Sequence, residues 1–174
     1  MSWDPSRIAG ARKAQPSATP EGEILRPPIE GVVSRPVPNI VTGNGVTCDV
    51  FRADRDAAGA GAQQVIAVTL RARAISAWHC HRHQTDRIAV VLGSIRLVLH
   101  DARDDSPTRG ALQVHLLAPM RPTLVAVPPG VWHGLQNLED SPAIFVNVFD
   151  RAYRHDDPDE WRLPADTDAI PFRF

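Results

Sequence analysis

Lysine is nearly absent from this chain of 174 residues: Lys13 is the only one, and the other strongly basic side chains are arginines. Lys13 lies outside the region patterned as globular, so no ammonium group is left there to act as a catalyst. Cysteine is scarce as well. Cys48 and Cys80 are the only two, and both read as free thiols of a reducing compartment. The opening MSWDPSRIAG has no basic-then-apolar build, which points to the cytoplasm rather than to secretion. No apolar run reaches membrane-spanning length, so no membrane partner is expected. Net charge is missing too: 19 lysines and arginines against 20 acidic residues leave −1. That excludes the basic footprint of a nucleic-acid binder. Tyrosine occurs once, at Tyr153. The length suits one domain with a core of its own, needing neither disulfides nor a structural metal.

Proline organises the start of the chain. Residues 1–38 carry Pro16, Pro20, Pro27, Pro28, Pro36 and Pro38 among Ser, Gly and charged residues. They read as an extended, partly disordered arm ahead of a single domain over 39–174. From Gly45 onward short β-branched and apolar runs alternate with turn residues. Strands are expected at Val46–Arg52, Val65–Arg71, Ile75–His81, Arg87–Leu92, Ile95–Asp101, Leu112–Leu117, Thr123–Val127, Trp132–Asn137 and Ala143–Phe149. Gly93-Ser94 and Pro128-Pro129-Gly130 interrupt them where hairpins need turns. Short strands without an amphipathic helix indicate an all-β double-sheet jelly roll. The tail after Tyr153 holds one polar turn, DDPDEW, and then too many prolines for a helix.

Two strings carry the chemistry. WHCHRHQTD supplies His79, His81 and, after four more residues, Asp86; Gly93 follows after another six. PPGVWHGLQN supplies His133 and Asn137. Residues two apart on a strand share a face, so His79 and His81 point the same way while Cys80 points opposite, as a small buried hydrophobe. His83 would join them only if the strand continued. His133 arrives from a second strand after the Pro-Pro-Gly turn. Three imidazoles and a carboxylate form an open set for one divalent first-row metal (Fe, Mn, Ni or Zn). The alternative is no metal, with the imidazoles as hydrogen-bonded interior groups and one acting as acid or base. His100, His115 and His155 have no such company and read as surface or edge residues. In their order the two strings resemble the pair that marks the cupin superfamily, the double-stranded β-helix. Asp86 stands where a glutamate is more usual, and Pro122 where a glycine often precedes the second string.

From Phe51 onward the chain also resembles the dTDP-4-dehydrorhamnose 3,5-epimerase family of the cupins. The resemblance runs through FRADR (Phe51 to Arg55), Trp78-His79, Gly93, DARDDSPTRG (Asp101 to Gly110), PPGVWHG (Pro128 to Gly134) and PADTDAI (Pro164 to Ile170). It implies His79 as the base that removes the proton beside a ketone, with Asp166 orienting it. It implies Tyr153 as the acid on the opposite sugar face and His133 as a second active-site histidine. Arg52 and Arg55 match the family strand that reaches a diphosphate. The family's arginine ahead of the base falls at Ser76, and its enolate-stabilising lysine at Asp86. Arg87 and Arg82 are the candidate substitutes for the lost cations. The residue that displaces the lysine also completes the set His79, His81, Asp86 and His133, and His79 cannot be both metal ligand and free base.

Three functions follow. The first is a sugar epimerase or isomerase acting on a 4-keto nucleotide sugar or related carbonyl compound. The second is a metal-dependent cupin enzyme, a dioxygenase, lyase or isomerase. The third is a non-catalytic sugar-binding cupin. The resemblance further implies a homodimer and a small-molecule substrate. Trp78 and Trp132 alternate away from the histidines and read as packing residues, and Trp161 as a cap on the barrel end.

Overall fold

A computed structural model describes residues 4, 7–22, 24–56 and 61–174. Two five-stranded sheets face each other. One is ordered β1-β9-β6-β11-β4, the other β12-β5-β10-β7-β8, and a separate hairpin joins β2 to β3. The strands are β1 (Val33–Pro36), β2 (Asn39–Thr42), β3 (Gly45–Cys48), β4 (Gln64–Leu70), β5 (Ile75–Cys80) and β6 (Asp86–Leu92). They continue with β7 (Ile95–Asp101), β8 (Leu112–Leu117), β9 (Thr123–Val127), β10 (Val131–Asn137), β11 (Ala143–Phe149) and β12 (Trp161–Arg162). Every ladder among the described residues is antiparallel. This is the all-β jelly roll that the alternation of short strands implies.

The core fills the space between the sheets. Ile88 and Val90 from β6, Ile95, Leu97 and Leu99 from β7, and Phe145 from β11 meet there. On β11 the buried face runs Ala143, Phe145, Asn147, Phe149, so one polar side chain sits in an otherwise apolar row. A second cluster lies outside the β5 sheet, where the tail folds back over it. Trp78 is fully buried there between Phe172 and Phe174, beside Val98 and Ile170. Packing is thus the role of Trp78, as strand alternation requires.

Several expectations are corrected. Val33–Pro36 pairs with β9 at the sheet edge, so a strand begins inside the proline-rich stretch; Pro36 is tolerated as its last residue. The run Val46–Arg52 is a strand only to Cys48 and pairs with β2, because Arg52 leads into a 3-10 turn at Ala53–Arg55. His100 and His115 are buried, not superficial: they sit on β7 and β8, two adjacent strands of one sheet. The tail turn contains no α-helix and instead delivers β12 to the edge of β5. Trp161 remains largely exposed there and caps nothing.

Candidate active site

One end of the barrel opens into a cavity of about 890 Å3. Its inner wall is apolar, with Ile66, Val68, Ile88 and Phe145, and its mouth is polar, with Gln64, Arg151, Tyr153 and Arg162. Between them lie His79, His81, Asp86 and His133. The two sequence strings therefore do converge. β5 and β10 are neighbours, and His79 stands directly opposite His133 across the ladder. Their ring centroids are 5.8 Å apart.

His79 is held at both nitrogens. Nδ1 lies 2.9 Å from Glu160 Oε1, and Nε2 lies 2.9 Å from Ser76 Oγ. The carboxylate fixes the tautomer with hydrogen on Nδ1, which leaves the Nε2 lone pair to accept from the serine hydroxyl. Burial, helped by repulsion from His133, lowers the His79 pKa from its ordinary 6.5 against the opposing pull of Glu160. The imidazole is therefore neutral at pH 7, as a base must be. Ser76 reaches it through a bulge. Between His133 and Leu135 the register shifts, so that Leu135 opposes Ser76 while His133 opposes His79. β5 thus carries one extra residue, and positions 76 and 79, an odd distance apart, share the inner face.

The second half of the site spans both sheets. Asp86 opens β6 and projects from the facing sheet, where its Oδ2 meets His81 Nε2 at 3.5 Å and His133 Nε2 at 3.4 Å. Gln84 donates to Oδ1 and Asn147 to Oδ2, which accounts for the buried asparagine on β11. His81 Nδ1 lies 2.5 Å from the Asp159 carbonyl and His133 Nδ1 lies 3.3 Å from the Val131 carbonyl. Both imidazoles thus give their Nδ1 hydrogen to backbone and turn Nε2 toward the carboxylate. Burial alone would lower the His81 pKa, but the Asp86 carboxylate and the Asp159 carbonyl outweigh it and raise it to about 9. Burial likewise opposes ionisation of Asp86, yet the two histidines hold it well below the usual carboxylate range.

Of the four expected metal ligands, His81, Asp86 and His133 place donor atoms within 4.8 Å of one another. His79 is outside that group, since Glu160 and Ser76 occupy its nitrogens. His79 and the group His81, Asp86 and His133 are thus distinct sets of side chains. Tyr153 lines the cavity mouth, half exposed, with its backbone N–H donating to Gln64. His83 is exposed at the rim.

Other expectations fail. Asp166 is exposed on the tail and does not stand behind His79; Glu160 does. The carboxylate behind His79 comes six positions earlier than the resemblance implies, because Trp161–Arg162 pair with Cys80–His79. Arg87 is fully buried on the opposite face of β6 from Asp86. It forms a two-pronged pair with Asp56, its guanidinium 5.7 Å from the Phe51 ring. Arg52 is spent on Asp54, and Arg55 is exposed in the 3-10 turn. The arginines at the mouth are instead Arg151, Arg154 and Arg162.

The family model described as dTDP-4-dehydrorhamnose 3,5-epimerase matches residues 28–170. The chain belongs to that family. Among the relatives of this epimerase, the spore coat polysaccharide biosynthesis protein SpsL of Bacillus subtilis is 35% identical over 100 residues, 58% of this chain and 66% of SpsL. The chain therefore spans about two thirds of that relative. The probable low-salt glycan biosynthesis epimerase Agl13 of Haloferax volcanii is 30% identical over 123 residues, 70% of this chain and 79% of Agl13. The crystal structure of a dTDP sugar isomerase from Desulfovibrio desulfuricans G20 superposes with a TM-score of 0.78 at 31% identity, covering 86% of this chain and 93% of that one. The chain is a nucleotide-sugar epimerase with the cupin-like fold.

Sequence reasoning missed Glu160, Asp159, Gln84 and Asn147, and saw Ser76 only as a departure from the family. For Glu160 the one signal was a pair of acids immediately before an aromatic residue, with nothing local to say that the turn comes back to β5.

Proposed function

We propose that the chain epimerises a dTDP-linked 4-keto sugar by removing the proton beside the keto group. His79 Nε2 takes that proton, and Glu160 stabilises the imidazolium that forms. Ser76 gives up its bond to Nε2 as the sugar enters. Tyr153, at the mouth of the same cavity, returns a proton from the other face. Arg151 and Arg162 receive the diphosphate, whose charge an arginine fork matches well. The observation that carries this reading is the carboxylate–imidazole pair at 2.9 Å, opening into a cavity large enough for a sugar nucleotide. The test is product analysis after incubation with a dTDP-4-keto-6-deoxyhexose. New ring-proton couplings from an inverted carbon support the reading, and unchanged sugar contradicts it.

The donor set His81, Asp86 and His133 fits a divalent transition metal once His81 gives up its proton: two imidazoles with Nε2 turned toward one carboxylate, each second nitrogen bonded to backbone. A cation there would supply Lewis acidity to the enolate oxygen, the work for which the family's lysine is missing. The account of His79 and Glu160 stands with or without it. Elemental analysis of untagged protein before and after chelation decides the point: stoichiometric Fe, Mn, Ni or Zn favours occupancy, and none argues against it. The exposed apolar side chains of the β2–β3 hairpin support a homodimer. No helix among the described residues is long and apolar enough to cross a membrane, in keeping with action on a sugar nucleotide in the cytoplasm.

A further inference from the structure

Ser76, His79 and Glu160 form a chain of hydrogen bonds that epimerisation does not require. Ser76 Oγ, His79 Nε2, His79 Nδ1 and Glu160 Oε1 follow one another at 2.9 Å and 2.9 Å. This is the order hydroxyl, imidazole, carboxylate that activates a serine as a nucleophile. A base for carbon acids needs only the imidazole and the carboxylate; a hydroxyl on Nε2 has to leave before such a base can work. The β5 bulge brings the serine into line. Without that register shift its side chain would face away from His79.

The walls around Ser76 indicate what it would attack. Its ladder partner is Leu135, and directly opposed side chains lie on the same face. Leu135 belongs with Ile88 and Phe145 to the apolar core, and Val68 packs against them. All four line the cavity, with Ile66 and Phe149. Toward the mouth the lining turns polar, through Gln64, Arg151, Tyr153 and Arg162. Ser76 therefore stands where an apolar wall meets a polar rim. An ester that joins an acyl group to a sugar would place its carbonyl at that boundary.

We propose that Ser76, His79 and Glu160 constitute a nucleophilic triad that hydrolyses acyl esters of sugars or related polyols. Ser76 Oγ bonds to the ester carbonyl carbon while its proton passes to His79 Nε2. The bond from that carbon to the alcohol oxygen then breaks, and His79 returns the proton to the leaving alcohol. Water, giving a proton to His79 in the same way, attacks the acyl carbon; the bond from that carbon to Ser76 Oγ breaks, His79 returns the proton to Oγ, and the acid is released. Glu160 keeps the imidazole in register through both halves. The Gln64 amide, whose oxygen accepts from the Tyr153 N–H, has an NH2 group that can donate, and the Arg162 guanidinium, one nitrogen of which donates to Glu160 Oε1, lines the same cavity with its remaining N–H groups. They provide positive hydrogens for the tetrahedral oxyanion.

The experiment treats the full chain with a fluorophosphonate probe, maps the adduct by peptide mass spectrometry, and follows hydrolysis of p-nitrophenyl acetate and butyrate by wild type and S76A. The expected result is an adduct on Ser76, with hydrolysis at least tenfold slower in S76A. Butyrate is turned over faster than acetate, since the wall beyond Ser76 is apolar. No adduct on Ser76, or hydrolysis equal in wild type and S76A, overturns the triad. Adduct mapping uses the wild-type chain, so it holds even where S76A folds poorly. Solvent deuterium uptake into a dTDP-4-keto sugar, measured on the same preparation, separates the two readings. Uptake without labelling removes only the triad, and labelling without uptake removes only the epimerase.

Discussion

At the scale of single residues, the site depends on which atoms surround His79. Its neutral form is favoured by burial, which lowers the pKa below 6.5. A base works only when unprotonated. The acid limb of kcat/KM for epimerisation should therefore have its midpoint below 6.5, with the plateau already reached at neutral pH; a pH profile checks this. H79Q should lose about 10²- to 10⁴-fold in kcat. E160Q should lose about 10- to 100-fold in kcat with KM nearly unchanged, since the carboxylate orients the base without touching the sugar. D166N should behave as wild type, because Asp166 is exposed away from the cavity. Much of this site was legible in the sequence. His79, His81 and His133 follow from strand alternation and from two turn-bounded strings, because period-two geometry is local. Ser76 and Glu160 were not legible. One needs a register shift against a distant strand, and the other needs a tail whose return path no local pattern specifies.

At the scale of elements, the return of the tail is the feature that completes the site. Asp159 caps the turn after β5, its carboxylate accepting backbone N–H groups from Arg82, His83 and Gln84. Its own carbonyl receives His81 Nδ1, and the next residue orients His79. Hydrogen bonds to a charged group contribute about 1.5–3 kcal/mol each at most and are partly shared here. D159A should therefore lower stability by about 2 kcal/mol in thermal denaturation and also reduce kcat, since the segment that carries the Asp159 carbonyl and Glu160 loses its anchor on residues 82–84. The β6–β7 turn is as demanding. Gly93 has φ +75°, and a Cβ there would lie 2.8 Å from Ala143 Cβ. G93A should cost roughly 1–3 kcal/mol. Eight of the nine strands expected from alternation are present with boundaries shifted by one residue at most, since each has its own run of β-branched or apolar residues; the ninth, Val46–Arg52, stops at Cys48. β1, β2 and β12 escaped notice because they are short, lie among prolines or polar residues, and exist only through their partners.

At the scale of the whole molecule, a proton and a metal would compete for the same atoms. His81 is protonated up to about pH 9 beside Asp86. Because this folded-state pKa lies above the ordinary 6.5, the pair adds stability that is fully present below 6.5 and lost as pH rises through 9. In chelated protein that loss should be on the order of 2–3 kcal/mol, read from denaturant midpoints at a series of pH values. Metal affinity at His81, Asp86 and His133 should rise over the same interval, since binding must displace the proton. Assembly is tested separately. Ile40, Val41 and Val46 each expose more than half of their surface on the β2–β3 hairpin, an apolar patch that isolated domains seldom leave uncovered. Sedimentation should give a dimer for the wild-type chain and a monomer for a V41D/V46D variant.

Exchange of substrate hydrogen with solvent tests the central chemistry most directly. The chain and its H79Q variant are incubated with a dTDP-4-keto-6-deoxyhexose in D2O, and deuterium at the ring carbons beside the ketone is followed by NMR. Wild type should incorporate deuterium, and H79Q should not. Absence of incorporation by wild type, with or without added divalent metal, or equal incorporation by H79Q, would contradict the role assigned to His79 and Glu160.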